Sequence, residues 1–403
     1  MSEHYLTAEI PGTGGTIKET ADDFHVEEIP LYQPSGEGEH LYLTVEKKDL
    51  TTQQLLRHAA QTFKVQEREI GYAGLKDAKA TTIQTISLPL VEPDQAERIE
   101  TGQISMVSAR RHRNKLRPGH LLGNRFQIRI ADPEPDALER ARTILEILEK
   151  RGMPNYFGRQ RYGILGNSHL VGRSIMKQDY ETGCRLVIGD PELIEHPAWK
   201  EAAELFLSGD LQKAVERLPR HCRYERQVIT DLIRGRSAKK TLLGLPRNML
   251  RLYLSACQSS LFDRIIDMRL ATIDKIWPGD IAYKHQNGAC FRVENESAEQ
   301  QRADSFEISA TAPLFGHKTM LARSQSGIIE ESLLEKEKLQ LGDFKLGRGL
   351  DMPGERRPIR IPVSDIEIEM EQKDLLLRFA LPKGSFATSL LREVTKSISP
   401  HIQ

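Results

Sequence analysis

Strand patterning that stops before the middle of the chain and returns only at its end is the feature that most restricts the fold. Near the C-terminus Ile366, Ile368 and Met370 alternate with Glu367, Glu369 and Glu371. That is the signature of a half-buried strand with a wet acidic face. A second strand, Leu375 to Leu381, runs to the turn Pro382-Lys383-Gly384, after which Ser385 is placed to cap a short helix carrying Phe386, Leu390, Leu391 and Val394. From about Gly166 onward, by contrast, helical periodicity dominates, in Pro197 to Leu207, Asp210 to Leu218 and the long Pro246 to Arg269 run. An irregular stretch bearing glycines and charges follows, through Pro278 to Asp280 and Thr311 to Lys318. With 403 residues there is material for two cores. The simplest layout is a first domain that is interrupted and then completed by the tail: residues 1–165 and 355–403 around an insertion at 166–354.

The first segment supplies most of the strands. In Thr16 to Pro30, Phe24, Val26 and Glu28 share one face, with His25 and Glu27 on the other. A glycine-rich turn, Pro34 to Gly38, leads to a second strand, Leu41 to Glu46, and the two read as a hairpin-type pair. Thr51 with Gln54 three residues on is a capping box, opening a helix with Leu55, Leu56, Ala59, Ala60 and Phe63 on one face. Gly123 to Ile130 is another strand, with Asn124, Phe126, Ile128 and Ile130 on one side and Arg125, Gln127 and Arg129 on the other. Asn124 is the polar residue of the apolar side, either a satisfied edge group or one pointing into a pocket. Asp136 to Arg151 is an amphipathic helix between Pro135 and Gly152. Strands with few intervening helices predict an α+β fold with a largely antiparallel sheet backed by helices.

Composition narrows the chemistry. The four cysteines stand far apart without a C-x-x-C pair, and the twelve histidines lack metal-ligand spacing, so no metal is expected. No apolar run approaches about eighteen residues and no basic-then-apolar leader opens the chain, which predicts a cytoplasmic protein without a membrane span. Net charge is zero, but its distribution is uneven. Between Ala109 and Ile130 there is no acid, while Arg110, Arg111, Arg113, Lys115, Arg117, Arg125 and Arg129 supply seven cations. Such a stripe suits a run of phosphates or a solvated basic loop.

Gly71 to Leu88, GYAGLKDAKATTIQTISL, is the stretch with the clearest chemical content. Two glycines three apart allow close backbone approach, Lys76 and Asp77 stand side by side, and the β-branched run from Thr81 reads as a strand. An acid on such a turn is either a solvated residue or a reactive one.

GYAGLKD followed by the ATTIQ of Ala80 to Gln84 resembles the active-site motif of the TruD family of tRNA pseudouridine synthases. DDFHVEE (Asp22 to Glu28), GNRF (Gly123 to Phe126), NYFGRQRYG (Asn155 to Gly163) and LPKGSFATSLLRE (Leu381 to Glu393) resemble further motifs of that family, in order, over residues 16 to 394. Arg159 departs from the pattern, where the family often has an acid. The resemblance implies a pseudouridine-synthase catalytic domain with a curved mixed or antiparallel sheet, interrupted by a family-specific inserted α/β domain. It implies isomerisation of uridine in tRNA, expected at position 13, with Asp77 catalytic. Lys18, Phe24, Lys76, Asn124, Phe126 and Phe386 are then substrate-binding residues, and Arg110, Arg111, Arg113, Lys115, Arg117, Arg159 and Arg161 contact the RNA backbone. The reaction gains and loses no atoms, so no cofactor is expected. Two other readings compete. One is a non-catalytic RNA-binding or tRNA-folding protein on the same scaffold. The other is a hydrolase, which needs a second acid near Asp77, with Glu27 and Glu28 as candidates.

Overall fold

The computed structural model describes residues 4–17, 20–76 and 78–396. The chain packs as two compact units: Tyr5–Met153 together with the chain from Ile361 onward, and Pro154–Arg360 between them in sequence. The fold is α+β. Among the described residues no helix is long and apolar enough to cross a membrane.

The split unit is built on a sheet with nine strands among the described residues. In chain order the elements are β1 (Thr16–Ile17), β2 (Phe24–Pro30), β3 (His40–Lys48), α1 (Thr52–Phe63), β4 (Gly71–Tyr72), β5 (Thr81–Pro89), β6 (Ile104–His112), β7 (Leu121–Ala131), α2 (Ala137–Arg151), β8 (Ser364–Glu371), β9 (Asp374–Pro382) and α3 (Ala387–Thr395). The strands lie in the order β8-β9-β7-β2-β5-β3-β6, with β1 added on β7 and β4 on β5. Pairing is antiparallel except between β2 and β5, so the sheet is mixed. The tail therefore completes the sheet, since β9 lies against β7 from Leu375↔Ile130 to Pro382↔Gly123.

Two apolar clusters hold this sheet. One gathers Val26, Phe126, Ile128 and Ile130 with Ile144, Leu145 and Leu148 of α2 and Leu390, Leu391 and Val394 of α3. The other sets Leu41, Leu43 and Val45 of β3 and Ile86 and Leu88 of β5 against Leu55, Leu56 and Ala59 of α1. Alternation in the strands and the 3.6-residue stripe of each helix are thus satisfied together. Thr51 caps α1 as a capping box, as its sequence predicts.

Three local expectations are corrected. β2 and β3 are not a hairpin: β5 lies between them, parallel to β2 and antiparallel to β3. The connection 31–39 is too long for a tight turn, and the Gly36 N–H bonds the Arg111 carbonyl (3.0 Å), so the chain crosses towards β6 and leaves a slot for β5. Ser385 does not cap α3; the N-cap is Phe386, without a side-chain capping bond. The stretch read as irregular contributes three strands, Ile281–Lys284, Cys290–Arg292 and Ile308–Leu314, to a four-stranded sheet that Glu355–Pro358 completes. Its strand ISATAPL is buried at every position, and its two alanines and Pro313, residue types depleted in strands, hid it.

The middle unit is organised on the helix Arg247–Arg269, which buries not only its apolar stripe but also Gln258, Ser259, Asp263 and Arg269. NYFGRQRYG folds onto that polar side. Tyr156 Oη donates to Asp267 Oδ1 (2.7 Å), the Phe157 N–H to Asp263 Oδ1 (3.0 Å), Tyr162 Oη to Asp263 Oδ2 (2.5 Å) and Arg161 Nε to Ser259 Oγ (3.0 Å). Burial pushes the Asp263 carboxyl up to about 7, with the Tyr162 and Phe157 hydrogen bonds opposing it.

The folded protein therefore keeps a proton that the unfolded chain, with an ordinary aspartate, releases near pH 4. Because the native state binds more protons, stability contributed by this group falls as pH rises from about 4 to about 7 and is level above. Asp263→Asn is expected to remove that slope, so the wild-type minus variant difference in urea stability drifts by a few kcal/mol, in order of magnitude, across that window. Parallel stability curves would contradict it.

Candidate active site

Where β2 and β5 cease to pair, a gap opens that polar residues fill. The parallel register runs from His25↔Thr81 to Glu27↔Ile83 and goes no further. The next residue of β2, Glu28, stands opposite Asn124 of β7, so both side chains point to one face. Into this gap comes Lys76. Its Nζ donates to Asn124 Oδ1 (2.7 Å) and pairs with Glu28 Oε1 (3.0 Å), while the Thr85 N–H donates to Glu28 Oε2 (3.2 Å). The Lys76 and Glu28 side chains are 6% and 5% exposed. An ammonium only donates, so Asn124 must turn its amide oxygen to Lys76 and its NH₂ away.

The loop that delivers Lys76 is fastened on both sides. The Lys76 N–H donates to Thr52 Oγ1 (2.8 Å) in the first turn of α1, and that hydroxyl donates to Gln84 Oε1 of β5 (3.1 Å). The Gly119 N–H donates to the Ala73 carbonyl (2.8 Å). Gly71 is required by close approach: a Cβ there would lie 2.2 Å from the Leu116 carbonyl oxygen and 2.4 Å from Ser87 Oγ. Gly74 is under no such compulsion, with Glu28 Oε1 at 3.4 Å as its nearest neighbour.

The expected site residues fall into three groups. Lys76 and Asn124 meet at the end of β2 and β7, and Phe126 and Phe24 lie further along the same strands on the same face. Phe126 meets Phe24 edge-on with ring centres 6.3 Å apart, stacks on Phe379 at 5.2 Å, and is 7% exposed, a member of the core. The turn before Phe386 lies beside them, because Leu381 faces Asn124 and the Lys383 N–H donates to the Leu122 carbonyl (2.9 Å). Phe386 itself is 39% exposed. Asp77 and Lys18 lie outside the described residues. Arg159 and Arg161 belong to a short turn of the middle unit, Arg159 exposed and Arg161 half-buried, its guanidinium 5.3 Å from the Phe157 ring.

The basic stripe is less open than its sequence suggests. Arg111 is held by Glu92 (2.5 Å), Arg113 by Glu37, Arg125 by Glu27 and Asp365, and Arg129 by Asp23 and Glu371. Lys115 Nζ donates to the Arg68 carbonyl (2.7 Å). Arg110 and Arg117 are exposed and make no ion pair among the described residues. Glu28 is the site residue that sequence reasoning undervalued. Its signal was the one that singled out Asn124, a polar group on an otherwise apolar face.

A mixed sheet closed by the chain's own tail, with a buried ammonium–carboxylate–amide cluster at the open end of two strands, defines an α+β enzyme scaffold. Residues 1–394 match the family model described as TruD, tRNA pseudouridine synthase D. A Syntrophotalea carbinolica protein named tRNA pseudouridine synthase D is 55% identical over 98% of this chain and 99% of its own length. One from Geobacter metallireducens with the same name is 49% identical over 99% of each. A solved structure from Methanosarcina mazei, assigned to tRNA pseudouridine synthase D, superposes with a TM-score of 0.86 at 28% identity, covering 98% of this chain and 96% of that one. The chain belongs to the TruD family.

Removing Lys76 leaves the Glu28 carboxylate buried and unpaired. Lys76→Ala is expected to cost about 3–5 kcal/mol in urea unfolding, and adding Glu28→Gln to restore part of that loss. Additive single and double effects would contradict the pairing.

Proposed function

We infer that this chain isomerises uridine in tRNA to pseudouridine, with Asp77 as the catalytic residue. Family membership over residues 1–394 supports the reaction. The observation that carries the assignment of roles is the buried Lys76–Glu28–Asn124 cluster, which fixes the residue immediately before Asp77.

The bond between ribose C1′ and uracil N1 breaks, the base turns, and C1′ joins C5. The C5 proton leaves and N1 gains one, so nothing need be supplied from outside. A single carboxylate suffices because the detached base stays in the site. The target must leave its stack, at a cost of a few kcal/mol. Phe386, exposed at the N-cap of α3, is assigned as the stacking face, and Phe126 and Phe24 as the aromatic support behind it. Asn124, with its oxygen turned to Lys76, offers its NH₂ to a uracil carbonyl or to the Asp77 carboxylate. Lys18 is assigned to the same pocket.

Among the cations, Arg110 and Arg117 are the first assigned to RNA phosphates, together with Arg159 of the middle unit. Arg111 and Arg113 would exchange Glu92 and Glu37 for phosphate, and Lys115 would release the Arg68 carbonyl. Arg161, tied to Ser259, steadies its loop as much as it offers charge. Residues 166–354, which lie inside the compact unit Pro154–Arg360, are assigned to the family's inserted domain, position 13 as the target, and the cytoplasm as the location.

The test is to incubate the protein with unmodified tRNA transcripts and map pseudouridine by carbodiimide-dependent reverse-transcription stops. Asp77→Asn is expected to hold tRNA within about threefold of the wild-type affinity and to lose product by at least about 1,000-fold. A new stop at position 13 supports the full assignment. A stop elsewhere discards the target position. Wild-type protein that binds tRNA and yields no stop would favour a non-catalytic RNA-binding protein.

A further inference from the structure

Glu28 has a second exposure that the reaction does not use. It forms part of the wall of a cavity of about 220 Å³ in the split unit that runs from Ala73 and Thr85 beside the Lys76 cluster to Tyr32, Tyr42, Arg110 and His120. Lys76, Asn124, Phe126 and Phe386 are not among its walls. Beside it lies a shallow recess of about 560 Å³ that shares Tyr32 and His120 and adds His112, Asn114, Lys115 and Arg117.

The walls are aromatic and internally braced. Tyr32 Oη lies 2.8 Å from His120 Nδ1 and 3.2 Å from Tyr42 Oη, and Tyr42 Oη donates to the Asn114 carbonyl (3.0 Å). His112 stacks on Tyr32 with ring centres 5.1 Å apart and 20° between planes. These bonds satisfy the ring polar groups among themselves, so the rings are set before any ligand arrives. Ser108 and the exposed Arg110 line the cavity, and Lys115 and Arg117 line the recess. Flat rings lining a cavity, with cations where the cavity opens out, are the combination that single-stranded nucleic acid requires: a stacking platform and a backbone funnel.

We propose that this cavity takes the base of one unpaired RNA nucleotide other than the reacting uridine, with its phosphate in the Lys115–Arg117 recess. The proposal rests on the tRNA-modifying reading above. Its role is to hold the RNA at a second point, so that the reacting uridine is presented in one register. The location beyond Glu28 fits that role, because the same residue borders both places.

The test measures tRNA binding and single-turnover pseudouridine formation for Tyr32→Ala, His120→Ala and Arg117→Glu, with ultraviolet cross-linking of wild-type protein to unmodified tRNA transcript. Tyr32→Ala or His120→Ala is expected to raise Kd by about 5- to 100-fold, with the rate at saturating tRNA far less affected. Arg117→Glu, at an exposed position and so safe for folding, is expected to lower the salt slope of binding by about 0.7–0.9. Cross-links on the peptides holding Tyr32 or His120 should map to a nucleotide distinct from the converted uridine. Wild-type-like Kd and salt slope in all three folded variants, or cross-links there to the converted uridine alone, would overturn the proposal. Wild-type protein that binds tRNA without forming pseudouridine would instead overturn the functional reading, and the Kd comparison would still decide the subsite.

Discussion

The buried pairing of Lys76 with Glu28, closed by Asn124, is the interaction on which the site depends. Taking a charge out of water costs several kcal/mol, and it is tolerated here because three polar groups meet within hydrogen-bond distance. A buried ion pair of this kind is a weak source of stability and a strong source of register. Lys76 can occupy one place only, with its ammonium held between Glu28 and Asn124. Thr52, Gln84 and Gly71 serve the same end from the backbone side.

The sheet explains why such a cluster exists. A parallel pair, β2 and β5, sits inside an otherwise antiparallel sheet and ends at Glu27↔Ile83. Past that point two strands diverge, and a loop enters where another strand pair would be. The tail is part of the arrangement, since β9 supplies the far side of β7 and brings the turn before Phe386 to the level of Asn124. Interrupting the unit after Met153 and resuming it at Ile361 leaves that closure intact.

Much of this was legible in the sequence, and the failures have physical causes. Alternation in β2 and β7 and the capping box of α1 are local patterns that were met, and β8 keeps the alternation at Ile366 and Ile368 while Met370 is exposed. Pairing is not local: nothing in Thr16 to Glu46 says that β5 will insert between its two strands. The strand Ile308–Leu314 is buried on both faces and spelled with alanines and a proline, which weakens its strand signal. Ser385 looked like a cap by residue type alone, but the helix begins one residue later. Glu28 and Asn124 were each visible as a polar residue on an apolar face; only the register of β2 on β7 shows that they answer one another. The basic stripe overstated its reach, because several of its arginines meet acids distant in sequence.

The most direct measurement of the central claim is the single-turnover rate of pseudouridine formation by Glu28→Gln at saturating tRNA, with circular dichroism confirming the fold. Glutamine keeps the size and an acceptor but removes the charge that holds Lys76. The account predicts a rate lower by about 10- to 100-fold, the scale of a small misplacement of a reacting group. A wild-type rate in the folded variant would contradict it.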